Sequence, residues 1–399
     1  MTSDLSILIR EHLHDNVQQL ALQRNRFPQL SDADFRFFLQ QVDGYHRTKD
    51  KLPVLSALPD WWFPVRLSCE QCSSEATARY KSQLVPASQV FIDLTAGYGI
   101  DTFFLSECAH EAHYVERNAD LCAIAEHNFS LYRPHIQVHN THAEEFLTQY
   151  PISDNQSPIT NPRYPTSDIL IYLDPARRSQ SGGKVFRIED CEPNIIGILP
   201  TLRGIASHIM IKFSPMLDIT AALRSLGKDW DTHIVAVNNE VKEVLFLTGR
   251  GAIHAVNIRE NHMDKISFGE EDERQANMTI ATDILQYIYE PNAAIIKAGA
   301  FRLVSKIYGL AKLDTNTHLY TSNTFMQGFP GRIWEVVDAE IKDPKKQLDK
   351  QTKYSIISRN HPLSPDDIRK KYKLKDGDEM YLLATRHQGK PKFILASRL

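Results

Sequence analysis

The fold is decided by residues 90–101, which read VFIDLTAGYGID. The first residues form a short apolar run that stops at an acid, a pattern typical of a buried β-strand. Two glycines follow, Gly97 and Gly99, and apolar spacing suited to a helix resumes at Thr102. Glycines between a strand and a helix let backbone amides and the helix N-terminus face a ligand. We therefore expect a nucleotide-like cofactor at this turn.

The residues around the two glycines distinguish between cofactors. Dinucleotide-binding proteins have a third glycine three residues after the second, where this chain has Thr102. Acids surround the turn instead: Asp93 before it, Asp101 after it, and Glu116 at the end of the next predicted strand. Carboxylates this close would repel a pyrophosphate. They suit a cationic ligand that carries hydroxyl groups, and S-adenosylmethionine is such a molecule.

Three short stretches carry a resemblance to a known family: DLTAGYG at 93–99, YVE at 114–116 and LDP at 173–175. Together they resemble the class I S-adenosylmethionine-dependent methyltransferases, across residues 67–250. The wider arrangement is similar to a bacterial family of these proteins with a THUMP-like domain at the C-terminus. The further matching stretches are EQCSSE at 70–75, YEPNAA at 289–294, KAG at 297–299 and DGD at 376–378.

This resemblance implies an α/β fold with a Rossmann-like, seven-stranded methyltransferase sheet. Apolar runs that alternate with helical patterns also predict a doubly wound sheet, whose ligands bind beyond the carboxyl ends of the strands. We expect a helical domain before the sheet and two small α+β domains after it. The expected boundaries are an N-terminal helical domain at 1–66, the methyltransferase domain at 67–275, a ferredoxin-like domain at 276–335 and a THUMP-like domain at 336–399.

In the C-terminal third, residues 293–310 have the spacing of one amphipathic helix. Residues 381–383 and 393–395 are interpreted as paired strands across a turn that contains Gln388 and Gly389.

The resemblance implies S-adenosylmethionine as the cofactor and assigns its binding residues by position. Glu116 would accept hydrogen bonds from the ribose hydroxyls, and His142 or Ala143 would hold the adenine edge. The complete set of candidates is Asp93, Thr95, Gly97, Gly99, Asp101, Glu116, His142 and Ala143.

Asp174 and Pro175 are the candidate catalytic residues. Methyl transfer from a sulfonium is one in-line displacement, so it depends on positioning and electrostatics. A base amine could donate its two N–H groups to the Asp174 carboxylate and the Pro175 carbonyl, as in similar Asp-Pro-Pro turns of nitrogen methyltransferases. Here Ala176 replaces the second proline, so carbon and oxygen acceptors stay open.

Basic residues follow this turn at once. Arg177, Arg178 and Lys184 alternate with small polar residues, and such a loop suits contacts to phosphates that position RNA. They are the candidate substrate-binding residues.

Charge is unevenly distributed along the chain. The net charge is −3, but residues 336–399 hold 15 Lys and Arg against 9 Asp and Glu. A basic C-terminal module on an acidic body fits a polyanionic partner. THUMP domains bind RNA, so the resemblance favours methylation of a base in structured RNA, either rRNA or tRNA. The alternatives are a methyltransferase acting on a protein or small molecule, and a non-catalytic RNA-binding protein that retains the fold; the oligomeric state is not predictable.

Cysteine content and hydropathy indicate the redox state of the thiols, the absence of a metal site and the cellular location to expect. Five cysteines in a chain of 399 residues indicate reduced thiols. Cys69 and Cys72 have the spacing of a metal knuckle, but a second pair is not spaced to complete a zinc site, so no metal is expected. We expect no membrane partner and a cytoplasmic protein, since no apolar run approaches membrane length and the charged N-terminus is unlike a signal peptide.

Overall fold

The computed structural model describes residues 3–149, 160–161, 164–165, 169–177, 188–260 and 262–399. These form two compact units. The first comprises Met1–Trp230 and Val244–Arg250, and the second comprises Asp231–Glu243 and Gly251–Leu399. Among the described helices, none is both long enough and apolar enough to cross a lipid bilayer.

The first unit begins with short helices that close over a core of their own. Helix α3 begins where the Ser31 side chain accepts a hydrogen bond from the Asp34 backbone N–H, a standard N-cap. Its apolar face buries Phe38 and Val42 against Leu20. The helices are α1 (Ser3–His12), α2 (Val17–Leu22), α3 (Asp32–Thr48), α4 (Arg66–Gln71) and α5 (Glu75–Ser82).

A mainly parallel sheet follows. Its central strands are mostly apolar and buried, as is typical of strands covered on both faces. The strands, including two-residue pairs, are β1 (Ser88–Asp93), β2 (Ala109–Glu116), β3 (Ile136–Asn140), β4 (Thr160–Asn161), β5 (Tyr164–Pro165), β6 (Ile169–Leu173), β7 (Ala176–Arg177), β8 (Cys191–Glu192), β9 (His208–Phe213), β10 (Trp230–Val237) and β11 (Glu240–Thr248).

Of these strands, β11, β9, β6, β1, β2 and β3 form the sheet of the first unit in that order, β4 pairs with β5, β7 pairs with β8, and β10 lies almost entirely in the second unit. Within the sheet of the first unit all pairs are parallel except β9 with β11, in which Leu245 lies opposite Lys212. The order steps outward in both directions from β1 and β6, so the carboxyl ends of these strands flank one crevice. The helices between them are α6 (Ile100–Leu105), α7 (Ala119–Tyr132), α8 (Ala143–Gln149), α9 (Ile195–Ile205) and α10 (Ile219–Leu226). The α/β fold expected from the sequence is confirmed.

The second unit contains two sheet segments. In the smaller one, β12 runs parallel to β10 and antiparallel to β13, and this hairpin was not foreseen from the sequence. The larger is eight-stranded, in the order β15, β16, β14, β17, β21, β20, β18, β19. The strands are β12 (Ile253–Arg259), β13 (His262–Phe268), β14 (Tyr287–Pro291), β15 (Ala311–Asp314), β16 (Thr317–Ser322), β17 (Gly331–Asp338), β18 (Lys353–Ser358), β19 (Lys375–Asp376), β20 (Met380–His387) and β21 (Lys390–Arg398).

Two predictions for this unit met different outcomes. The hairpin is confirmed: β20 pairs with β21, and Gln388 and Gly389 form its turn with φ of 51° and 73°. The single helix at 293–310 was wrong, because Gly299 adopts φ of 74° and ends the first helix there. The helices are α11 (Glu270–Gln275), α12 (Ala293–Ala298), α13 (Phe301–Tyr308), α14 (Pro344–Gln347) and α15 (Pro365–Tyr372).

Candidate active site

The turn between β1 and α6 depends on both of its glycines. Gly97 has φ of 55° and Gly99 has φ of 85°, a region that side chains with a Cβ rarely adopt. A Cβ on Gly99 would lie 2.8 Å from Cζ of Phe129, so close packing also requires glycine there. A Cβ on Gly97 would meet no atom of the described residues within 4 Å. The space beside the Gly97 backbone is therefore open, as a cofactor lying on this turn requires.

Glu116, at the end of β2, points its carboxylate at this turn. Its two oxygens accept hydrogen bonds from the backbone N–H groups of Gly97 (3.0 Å) and Asn118 (2.8 Å). The Tyr114 hydroxyl donates to the Gly97 carbonyl at 2.5 Å. Each carboxylate oxygen keeps a free lone pair, so Glu116 can still accept from a vicinal diol such as a ribose.

Asp93 supports the turn from inside the protein. It is fully buried, and its oxygens accept from the Thr95 N–H (3.1 Å) and from the Thr102 hydroxyl (2.7 Å). Burial raises the pKa of Asp93 to about 8, despite these two hydrogen bonds, which act in the opposite direction. Thr102, which stands where a dinucleotide fingerprint has glycine, is thus part of the hydrogen-bonding structure of the turn.

Asp101 lies in a buried cluster of charges. Ser73 and Tyr172 each donate a hydroxyl hydrogen bond to its Oδ2 at 2.7 Å. The ammonium of Lys81 lies 3.1 Å from Oδ1, and that of Lys212 lies 3.9 Å from Oδ2. Burial alone would raise the pKa of Asp101, but the charges of the two lysines, together with the hydrogen bonds from Tyr172 and Ser73, outweigh it and the pKa is lowered. The cationic partners of this carboxylate therefore come from the chain itself.

Asp174 follows β6 and completes the cluster. Its backbone N–H donates to the Thr95 hydroxyl at 2.5 Å, which ties the end of β6 to the glycine turn. Its carboxylate oxygen Oδ2 lies 2.6 Å from Nζ of Lys212, and 39% of the side chain is exposed. Pro175 is buried beside it. Asp174 therefore presents a carboxylate that is paired on one side and open on the other.

The remaining candidates from the sequence are His142, Ala143, Arg177, Arg178 and Lys184. His142 is exposed and directly precedes α8, in which Ala143 is buried. Thr141 donates its backbone N–H to the Glu116 carbonyl at 3.2 Å, so this segment lies beside the end of β2. Arg177 ends β7, while Arg178 and Lys184 lie outside the described residues.

Sequence reasoning missed Lys81 and Lys212. Lys212 interrupts the apolar strand β9, and a lysine within such a run is the signal that could have identified it, since charged groups are buried only with partners. Lys81 lies in α5, whose N-cap is Ser74, and its side chain has no exposed surface. Neither residue has a local motif that names its partner.

The thiols carry no metal site in the described part of the chain. Cys69 and Cys72 are free, and no group of three or more His, Cys, Asp or Glu side chains there is placed to hold a metal ion.

The tyrosine between the two glycines connects the turn to the N-terminal helices. Trp61 donates its indole N–H to the Tyr98 hydroxyl at 2.6 Å, and that hydroxyl donates to the Trp62 carbonyl at 3.1 Å. The aromatic segment after the helices thus holds the cofactor turn in place.

Comparison with known proteins agrees with this geometry. Residues 287–330 match a family profile described as a ferredoxin-like domain, and residues 331–398 match one described as THUMP domain-like. An uncharacterized S-adenosylmethionine-dependent methyltransferase of Mycobacterium tuberculosis is 22% identical over 331 residues, which are 82% of this chain and 85% of that protein. The crystal structure of a "putative methyltransferase from Porphyromonas gingivalis W83" is 31% identical, with a TM-score of 0.85 over 99% of this chain and 97% of that chain. The chain therefore belongs to the family of class I S-adenosylmethionine-dependent methyltransferases that carry a THUMP-like domain at the C-terminal end.

Proposed function

We propose that this protein methylates a nucleotide of structured RNA, rRNA or tRNA, with S-adenosylmethionine as the methyl donor. One observation carries the proposal: the open face of Gly97, the Glu116 carboxylate and the half-exposed Asp174 all lie at the carboxyl ends of neighbouring strands. Ligands of doubly wound folds bind at this edge.

The residues of the turn fit the cofactor of the family. Glu116 would accept hydrogen bonds from the ribose hydroxyls, the backbone from Thr95 to Gly97 would lie against the rest of the molecule, and His142 and Ala143 would lie by the adenine. Asp93 acts by holding Thr95 and Thr102 in position. When bound, S-adenosylmethionine supplies a methyl group on a positively charged sulfur.

Asp174 and Pro175 would position the acceptor. The lone pair of an RNA nucleophile has to point along the axis of the breaking bond, and correct orientation alone can supply several kcal/mol of the barrier, roughly 7–11 in the best cases. The open side of the Asp174 carboxylate can accept a hydrogen from the acceptor group. The Asp174–Pro175 turn suggests that the acceptor is a base amine. Lys212, however, already binds one oxygen of the Asp174 carboxylate, which changes what that carboxylate can offer the acceptor.

The RNA part of the proposal rests on the C-terminal module. Four lysines, Lys370, Lys371, Lys373 and Lys375, are exposed at the end of α15 and just beyond it. Clustered surface lysines attract phosphates, and the THUMP-like match covers these residues. In the sequence, Arg177, Arg178 and Lys184 add positive charge next to Asp174.

The test compares Asp174→Ala with wild type in transfer of labelled methyl to RNA. The control is Ser31→Ala, which removes the N-cap of α3 in the N-terminal helices, where Ser31 accepts from the Asp34 N–H. We expect Asp174→Ala to lower the transfer rate about 100-fold or more, because the acceptor loses its orienting group. Affinity for S-adenosylmethionine, measured by calorimetry, should change little. If affinity falls while transfer per bound cofactor does not, Asp174 does not serve the acceptor. Transfer to protein or small molecules but not RNA would contradict the choice of substrate.

A further inference from the structure

The ion pair between Lys212 and Asp174 lies where the methyl acceptor must bind. Nζ of Lys212 lies 2.6 Å from Oδ2 of Asp174 and 3.2 Å from Oγ of Ser73. Lys212 is 9% exposed, so its ammonium is largely removed from water. A lysine in this position has a considerable desolvation cost, which calls for a reason beyond filling space.

Neutralising Asp101 does not explain Lys212. Asp101 already has Lys81, fully buried, at 3.1 Å. Lys212 lies 3.9 Å from Asp101 and 2.6 Å from Asp174, so its shorter contact is with the residue that faces the acceptor. Lys212 is therefore matched to Asp174, and the two form a pair with one buried and one open end.

This pair favours a hydroxyl over a base amine. An exocyclic amine offers two N–H donors, for which the second oxygen of Asp174 and the Pro175 carbonyl would be the acceptors. The charged lysine beside them adds only further donors, which the delocalised lone pair of an amine accepts poorly. A hydroxyl has both a donor and lone pairs. Its O–H can point to the pair while its oxygen carries the lone pair that attacks the methyl group.

We propose that the methyl acceptor is a ribose 2′-hydroxyl and that Lys212, oriented by Asp174, is the base that removes its proton. This inference rests on the proposed RNA methyltransferase activity. The 2′-hydroxyl is the hydroxyl that every internal RNA nucleotide carries, so it is the acceptor of this chemistry that structured RNA offers.

The proposed step balances as follows. Lys212 first releases one proton to water and becomes a neutral amine next to the Asp174 carboxylate. The bond from the 2′-oxygen to the methyl carbon forms while the carbon–sulfur bond breaks, and sulfur keeps the electron pair of that bond. The hydroxyl proton moves to the Lys212 amine, which restores the ammonium–carboxylate pair. The products are a 2′-O-methyl ribose and S-adenosylhomocysteine.

Two substitutions separate a base from a structural cation. Lys212→Arg keeps the charge but cannot give up a proton, while Lys212→Met removes both charge and base. We expect each to lower the transfer rate about 10²- to 10⁴-fold, the usual contribution of a general base. Lys228→Met is the control, since Lys228 is an exposed lysine in the loop after α10. Calorimetric affinity for S-adenosylhomocysteine and the thermal unfolding midpoint show whether each variant is folded.

The decisive readout is the position of the label. Full-length protein is incubated with methyl-deuterated S-adenosylmethionine and total RNA from cells that lack the gene. The RNA is digested to nucleosides, and fragmentation in the mass spectrometer separates ribose from base. Label on ribose, lost in both Lys212 variants, supports the inference. Label on a base overturns the inference and leaves the proposed function intact, and no label in RNA overturns both. A Lys212→Arg variant as active as wild type rules out Lys212 as the base.

Discussion

The two glycines of the cofactor turn should fail in different ways when replaced by alanine. Gly99→Ala places a Cβ 2.8 Å from Cζ of Phe129 and 3.2 Å from Cε2 of Tyr114, at a φ of 85°. The left-handed conformation costs about 1–2 kcal/mol, and forcing a methyl into packed aromatic rings costs about 1–3 kcal/mol. The two costs add to at most about 5 kcal/mol. We expect the free energy of unfolding to fall by about 3 kcal/mol.

In the part of the chain that the structure describes, the Cβ of Gly97→Ala meets no atom within 4 Å, so only the conformational cost of about 1–2 kcal/mol remains. Its methyl group would instead occupy the open space beside the turn. We expect a small loss of stability and a large loss of affinity for S-adenosylmethionine, at least tenfold, or about 1.4 kcal/mol.

The assay combines thermal unfolding with calorimetric titration of S-adenosylmethionine on both variants. For a unit of this size 1 kcal/mol corresponds to about 2–4 °C, so Gly99→Ala should melt about 10 °C lower and Gly97→Ala about 4 °C lower. A second check uses Phe129→Leu, which makes room next to residue 99. The double variant Gly99→Ala with Phe129→Leu should lose less stability than the two single variants summed. Wild-type affinity of Gly97→Ala for the cofactor, or simple addition of the two stability losses, would contradict these predictions.

Two further predictions concern the buried charges. Burial raises the pKa of Asp93 to about 8, against 3.8 in an unfolded chain, so the folded protein holds a proton that the unfolded chain releases, and stability should fall as pH rises from about 4 to about 8. Asp93→Asn should flatten that decline in urea unfolding at a series of pH values, and parallel curves for the two proteins would contradict the assignment. Lys81→Met leaves the Asp101 carboxylate without its 3.1 Å partner and should cost about 3–5 kcal/mol, most of it recovered when Asp101→Asn is added. A loss below about 1 kcal/mol for Lys81→Met alone would show that Lys212 suffices.

The sequence predicts those parts of the molecule that are specified by neighbouring residues. The strand, glycine turn and helix at 88–105 follow from apolar runs and two glycines, and the β20–β21 hairpin follows from its turn. The break at Gly299 was missed because the apolar spacing continues on both sides of it. A glycine within a helical pattern can be tolerated or can end the helix, and local sequence does not decide between these outcomes.

The charge cluster could not be predicted because its members are far apart in the chain. Lys81 lies in α5, Asp101 in α6, Lys212 in β9 and Asp174 in the turn after β6, and only the order of the strands brings β6 and β9 together. The sequence shows that Lys212 lies in an apolar strand, but it does not show which carboxylate faces it. The isolated Asp174–Pro175 turn suits a base amine, whereas the same turn paired with Lys212 suits a hydroxyl. Only the structure reveals that pairing.

The proposed function requires that this protein methylates RNA in the cell. The most direct test is mass spectrometry of nucleosides from total RNA of cells with the gene, without it, and complemented with either wild type or Asp174→Ala. We predict that one methylated nucleoside disappears when the gene is deleted, returns with wild type and does not return with the variant. Identical nucleoside inventories in all four samples would contradict the claim.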